Sequence, residues 1–183
     1  ERGIDNALLY DPKKFKVLSS KPIRNVLGGE DKTRDILYIN GEFNLILIHL
    51  FVNHWPSNYG GKEKSIPKRN FTLKLLLSEI QNINEVEFEP NIILLGDFNE
   101  DPDDYNVLLL ESAGLTNLMM AMIDKEDIST YIYRGTNYLY DQIIVSNSVL
   151  DEKGFTLADS STYILDLPKY RQQEGKYKNY PFR

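Results

Sequence analysis

The sequence predicts an α/β protein organised around a sheet. Three features predict it: short apolar or alternating runs at the front, two stretches with apolar residues at helical spacing, and apolar runs of strand length between and after them. At 183 residues, with 42% hydrophobic and 26% charged side chains, the chain has the size and composition of one folded domain. Residues 1–183 are read as that single domain.

Residues 5–10 and 15–18 are short apolar or alternating runs around Asp11-Pro12-Lys13-Lys14, which reads as two strands and a turn. Residues 35–40 and 43–53 repeat the pattern, and Asn40-Gly41 between them is the strongest short-range hairpin signal in the chain. The second of these strands is apolar at nearly every position from Leu45 to Val52, as expected of a central strand covered on both faces. Trp55-Pro56-Ser57-Asn58-Tyr59-Gly60-Gly61 has the composition of a loop.

Residues 65–83 carry apolar side chains at helical spacing, and Pro67 is tolerated if it falls in the first turn. Residues 91–96 read as a buried strand ending in Gly96, and residues 103–113 as a second helix closed by Gly114. Further strands are expected at 131–133 and 142–145, with turn material at 151–154 and a surface loop from Pro168 onward.

A formal charge of -6 and a pI near 5.0 exclude bulk electrostatic attachment to DNA or RNA, though not a local cationic groove. With no cysteine, the chain has neither disulfides, zinc thiolate sites nor a cysteine nucleophile. The longest apolar run, around Leu45 to Val52, is interrupted by His49 and is too short to span a bilayer. A soluble protein, cytoplasmic or secreted, is the resulting expectation, with the oligomeric state open.

The chemistry gathers at strand ends. Gly96-Asp97-Phe98-Asn99 delivers an Asp and an Asn two residues apart, which an extended chain would point to one face as a hard-oxygen site for Mg2+ or Mn2+. The alternative is a strand-end turn in which Asp and Asn cap the backbone. His54 stands where the long apolar strand emerges, suited to charge stabilisation on a phosphoryl group, with Asn53 holding the imidazole or a ligand. Its alternative is an ordinary loop histidine, and His49 reads as a core histidine with a hydrogen-bond partner.

Asp141 sits at the mouth of a third apolar strand, where a carboxylate can orient a catalytic imidazole or simply begin a strand. Lys62, Lys64, Lys68 and Arg69 follow the His54 loop as a cationic rim for a polyanion or as a solvated helix start. Trp55 and Tyr59 offer faces for base stacking or pin the loop.

Four segments in this order, Arg2-Gly3-Ile4-Asp5-Asn6-Ala7-Leu8-Leu9-Tyr10, Asn53-His54-Trp55-Pro56-Ser57, Gly96-Asp97-Phe98-Asn99 and Tyr140-Asp141-Gln142-Ile143-Ile144-Val145-Ser146, resemble the bacterial branch of the endonuclease/exonuclease/phosphatase superfamily. That group includes pancreatic deoxyribonuclease and the abasic-site endonucleases. The resemblance implies a four-layer α/β/β/α sandwich of two mixed sheets flanked by helices, with the active site at one edge of the sheets.

It implies metal-dependent hydrolysis of a phosphodiester, in nucleic acid or another phosphate ester. Asp97 would activate water and, with Asn99, hold the metal, and Asn99 would also bind the phosphate; Asn53 and Arg69, read from the residues themselves, are the further substrate-binding candidates. His54 would contact the phosphoryl oxygens and Asp141 would orient a second histidine. The family's metal-binding Glu should precede Arg2 and its Ser-Asp-His should follow Arg183, so the chain is expected to be an incomplete domain, inactive alone. A non-catalytic phosphate-binding module and a lipid or sugar phosphate esterase are the competing expectations.

Overall fold

The computed structural model describes residues 5–27, 33–125, 128–158 and 162–181. Residues 5–10, expected as a strand, form no regular element. Their apolar side chains find no sheet to join: Leu9 is 98% exposed, and Tyr10 is half exposed with its edge against Phe15. Glu1 and the Arg2-Gly3-Ile4 start of the first motif lie outside the described residues.

Strand β1 (Phe15–Ile23) pairs antiparallel with β2 (Ile36–Phe43), and β2 with β3 (Ile46–His54). The expected turn at Asn40-Gly41 lies inside β2 instead. The chain reverses at Asn44 and Leu45, both at positive φ (51° and 67°), between the paired residues Phe43 and Ile46. Gly41 has a different use, because the Phe15 ring lies over it and a Cβ would come within 2.4 Å of that ring.

Helix α1 (Lys62–Asn84) carries the chain from β3 to the parallel strand β4 (Ile92–Asp97). It begins before the expected residue 65, so Pro67 lies past the first turn and inside the helix, where it cannot donate to the Glu63 carbonyl. Helix α2 (Tyr105–Ser112) ends as expected at Gly114, whose φ is 84°. Two short strands without a readable period, β5 (Leu115–Asn117) and β7 (Thr136–Tyr138), join the expected β6 (Tyr131–Tyr133) and β8 (Asp141–Ser146).

The result is a mixed six-stranded sheet in the order β1-β2-β3-β4-β8-β5, with a separate β6-β7 hairpin and two helices. It is consistent with the expected α/β sandwich. Directly paired residues share a face. The row Phe51, Leu94, Ile144 therefore faces the helices, clustered with Leu73, Leu76, Val107 and Leu110. Each such side chain, fully buried, contributes about 1.5–3 kcal/mol.

The row Ile39, Leu50, Ile93, Val145 faces the other way and is also apolar, as an inner sandwich face should be. The tail is a surface loop, as expected, with a short 3-10 turn at Pro168–Tyr170 and the Arg171 guanidinium on Asp166. Among the described residues no helix is long and apolar enough to cross a membrane.

Candidate active site

The register that builds the sheet also assembles the site. On the face opposite the helices, Val52 pairs with Leu95 and Leu95 with Ile143; the next row is His54, Asp97 and Asp141, side by side on β3, β4 and β8. Three residues far apart in sequence therefore become neighbours at one sheet edge. Asn99 joins them from the loop after β4, its backbone N–H donating to Asp97 Oδ1 at 2.8 Å.

Asn99 departs from the extended geometry expected of it. Its φ is 51°, and its side-chain amide donates to the Trp55 carbonyl at 3.0 Å. Its nitrogen is thereby committed to the loop after β3, and the oxygen is the end that suits a cation. The turn is held from both sides, because Trp55 N donates to the Asp97 carbonyl and Phe98 N to the Tyr140 carbonyl, each at 2.8 Å. Trp55 and Phe98, both fully buried, pack against each other with their rings tilted by 57°.

Two residues expected in the site do not reach it. Asn53, one residue from His54 in an extended strand, points to the helix face, where it is buried, donates to the Phe51 carbonyl and accepts from Trp55 Nε1. Arg69 is fully buried rather than part of a cationic rim: its Nε donates to Glu100 Oε1 at 2.8 Å. Lys62 is likewise engaged, with Asp104. His49 is the core histidine expected, held by the Tyr38 hydroxyl at 2.7 Å and Glu87 at 3.1 Å.

His54 Nε2 lies 3.5 Å from Asp97 Oδ2, too far for a strong hydrogen bond. Burial holds the imidazole below its ordinary pKa, the nearby Arg34 guanidinium adds to this, and Asp141 partly opposes both. The ring is therefore neutral at pH 7. Asp141 is exposed as a residue, yet protein crowds its carboxyl and raises its pKa. The Asp97 charge raises it further, while Thr130 and His54 pull the other way.

A linked stability effect follows. The folded protein binds the Asp141 proton more tightly than the unfolded chain, so this group's contribution is greatest below pH 3.8 and is lost as pH rises through the raised folded value. Asp141→Asn is expected to raise the urea midpoint at pH 7, with a gain that shrinks as the pH is lowered through the raised folded value toward 3.8. A lower midpoint than wild type at pH 7 contradicts this electrostatic assignment.

Oxygen donors of the type a hard divalent cation prefers are present in Asp97, Asp141 and Asn99. Magnesium is commonly held by only one or two protein carboxylates, with water and substrate phosphate completing its shell. The mutual repulsion of Asp97 and Asp141 is the imbalance such a cation relieves. Among the described residues no group of three or more His, Cys, Asp or Glu is placed to hold a metal. The donor set fits a site shared with substrate rather than a closed cage.

Sequence reasoning passed over Arg34. Continued past its last pair, Leu37–Val52, the β2–β3 register sets Asp35 opposite His54 and Arg34 opposite Trp55. Its Nε is buried with no acceptor among the described residues. It also passed over a run of tyrosines beside Asp141: Tyr131 stacks on Tyr140 at 5.3 Å and on Tyr133 at 6.5 Å, and Tyr138 lies 4.8 Å from Tyr140.

One end of the sheet thus gathers an Asp-x-Asn turn, a histidine and a second carboxylate from three adjacent strands. Residues 1–183 match the Endonuclease/Exonuclease/phosphatase family along their whole length, and the chain belongs to that family. No curated protein matches it.

Among solved structures, D. rerio TDP2 complexed with a single-strand DNA product is similar at 20% identity with a TM-score of 0.56, covering 73% of this chain and 54% of that one. The human Nocturnin catalytic domain with bound sulfate is 18% identical with a TM-score of 0.51, covering 73% and 49%. An endonuclease/exonuclease/phosphatase family protein from Bacteroides thetaiotaomicron is 17% identical with a TM-score of 0.51, covering 75% and 53%. The chain shares their fold and spans about half their length.

Proposed function

We propose that the intact protein is a magnesium- or manganese-dependent phosphodiesterase acting on nucleic acid, and that the 183 residues alone turn over poorly. The observation that carries the reading is the row His54, Asp97, Asp141 on three adjacent strand ends, with Asn99 tied to Asp97. A divalent cation, held by Asp97 and Asn99 together with substrate phosphate, supplies charge neutralisation when bound.

Asp97 takes the proton of the attacking water as its oxygen bonds to phosphorus and the P–O bond to the leaving group breaks, the departing oxygen taking its proton from solvent. His54, neutral at pH 7, donates a hydrogen bond to a phosphoryl oxygen, and the Arg34 guanidinium offsets the charge that builds there. Asp141, whose charge acts on the neighbouring His54 ring, helps to orient it. The tyrosine rings next to Asp141 offer faces on which unpaired bases stack. The TDP2 relative bound to a single-strand DNA product supports a nucleic-acid substrate.

The test is hydrolysis by the intact protein of bis-p-nitrophenyl phosphate, single-stranded and duplex oligonucleotides, sphingomyelin and inositol phosphates, with magnesium, with manganese and with EDTA. Metal-dependent cleavage of single-stranded DNA or RNA is expected, and little from residues 1–183 alone. A lipid or sugar phosphate as the sole substrate overturns the nucleic-acid reading. Absence of turnover on every diester overturns the enzyme.

A further inference from the structure

We infer that Asn58, anchored by the buried Arg69–Glu100 pair, is a positioning residue that sets the spacing of the three segments carrying His54, Asp97 and Asp141. The inference rests on the proposed phosphodiesterase, in which Asn58, Arg69 and Glu100 themselves carry no chemical step.

Asn58 lies in the loop after β3 and bonds in three directions. Its Nδ2 donates to the Asn99 carbonyl at 2.9 Å, on the loop after β4, and to the Tyr140 hydroxyl at 3.1 Å, beside the start of β8. Its Oδ1 accepts from Arg69 Nη1 at 2.8 Å, on α1. One side chain therefore ties together the ends of β3, β4 and β8 and roots them in a helix.

Arg69 gives that root its stiffness. The guanidinium also donates to the Pro56 carbonyl at 3.2 Å and to Ser65 Oγ at 2.8 Å, while Nε holds Glu100, the residue after Asn99. Glu100 is buried in turn and accepts from Asn106 of α2 at 3.1 Å, and its backbone carbonyl takes Gln142 Nε2, next to Asp141, at 2.6 Å. A buried ion pair is weak evidence for stability as such, because desolvation offsets much of the attraction. It is good evidence for a unique geometry when nearly every bond, as here, ends on a segment that shapes the site. Its planar fork also makes Arg69 irreplaceable by a lysine at equal charge.

The experiment compares Asn58→Ala and Arg69→Lys with Thr72→Val in the intact protein. Thr72 is buried on the same helix, bonded to Asn25 and outside this network, so its variant controls for general loss of stability. Asn58→Ala is expected to lower kcat for single-stranded DNA roughly 10- to 100-fold, with KM within about twofold, since small misplacements of reacting groups cost about that much. Arg69→Lys is expected to follow in the same direction, and Thr72→Val, at a comparable loss of melting temperature, to keep kcat.

A second readout needs no turnover. In Asn58→Ala the backbone amides of Trp55 and Phe98, which bond the loop after β3 to Asp97 and the loop after β4 to Tyr140, are expected to exchange with solvent about tenfold faster than in Thr72→Val, as the junction of the three segments opens locally. Unchanged kcat in both variants, or losses no greater than in Thr72→Val, overturns the inference. If wild type shows no turnover, the phosphodiesterase reading has failed by itself, and amide exchange then decides: exchange at Trp55 and Phe98 no faster than in Thr72→Val overturns the positioning role, faster exchange upholds it.

Discussion

Asp97→Asn in the intact protein is expected to reduce kcat/KM for phosphodiester cleavage by about 10²- to 10⁴-fold, the range for losing a positioned proton acceptor. The substitution removes the proton acceptor and the charge that draws a cation, yet keeps an oxygen where the Asn99 N–H donates. Fold should survive, and melting temperature should hold or rise, because the carboxylate that repels Asp141 is gone. The Asp141 pKa should drop back toward its ordinary value in the same variant. A folded Asp97→Asn enzyme with more than a tenth of wild-type activity sinks the assignment.

How far the sequence discloses this fold depends on how much local signal each element carries. Strands β3, β4 and β8 are apolar along most of their length because both faces are covered, and such runs are readable without a partner. Strands β5 and β7 have three residues each, too few to show a period, and exist because β8 and β6 provide edges for them. The misplaced hairpin turn has a physical reason. Asn-Gly is favoured where both φ values are positive, but Gly41 is small so that Phe15 can lie over it, and Asn44 supplies the turn.

In the site, the strand-end residues were legible and the faces were not applied. Asn53 and His54 are neighbours in a strand, so only one of them can face a ligand, and period-2 parity alone assigns Asn53 to the helix side. Arg69 extends the stripe that includes Thr72, Leu73, Leu76, Ile80 and Ile83, so helical period already marks it as buried. What no local pattern contains is the partner of a buried charge. Glu100 lies 31 residues away from Arg69, and only the closed sheet brings them together.

Gly96→Ala is expected to destabilise the protein by about 4 kcal/mol or more, in the class of exceptional losses that have one identifiable cause. Gly96 has a φ of 124°, and a Cβ there would stand 2.0 Å from the Asn53 carbonyl oxygen and 3.0 Å from its carbon. Those are backbone atoms of the paired strand β3, held in the central ladder, and cannot move aside as a side-chain tip does. For a domain of this size, that loss lowers the melting temperature by roughly 8–16 °C. The comparison is Gly60→Ala, also at positive φ (83°) but with nothing within 4 Å, expected to cost only about 1–2 kcal/mol. Because Gly96 immediately precedes Asp97, any relaxation that admits the methyl group pushes β4 away from β3 at the row where His54 and Asp97 meet. Loss of stability and displacement of the site therefore have one cause. A Gly96→Ala variant melting within about 2 °C of wild type, with His54 titrating unchanged, contradicts the close approach of the two strands on which the site's geometry depends.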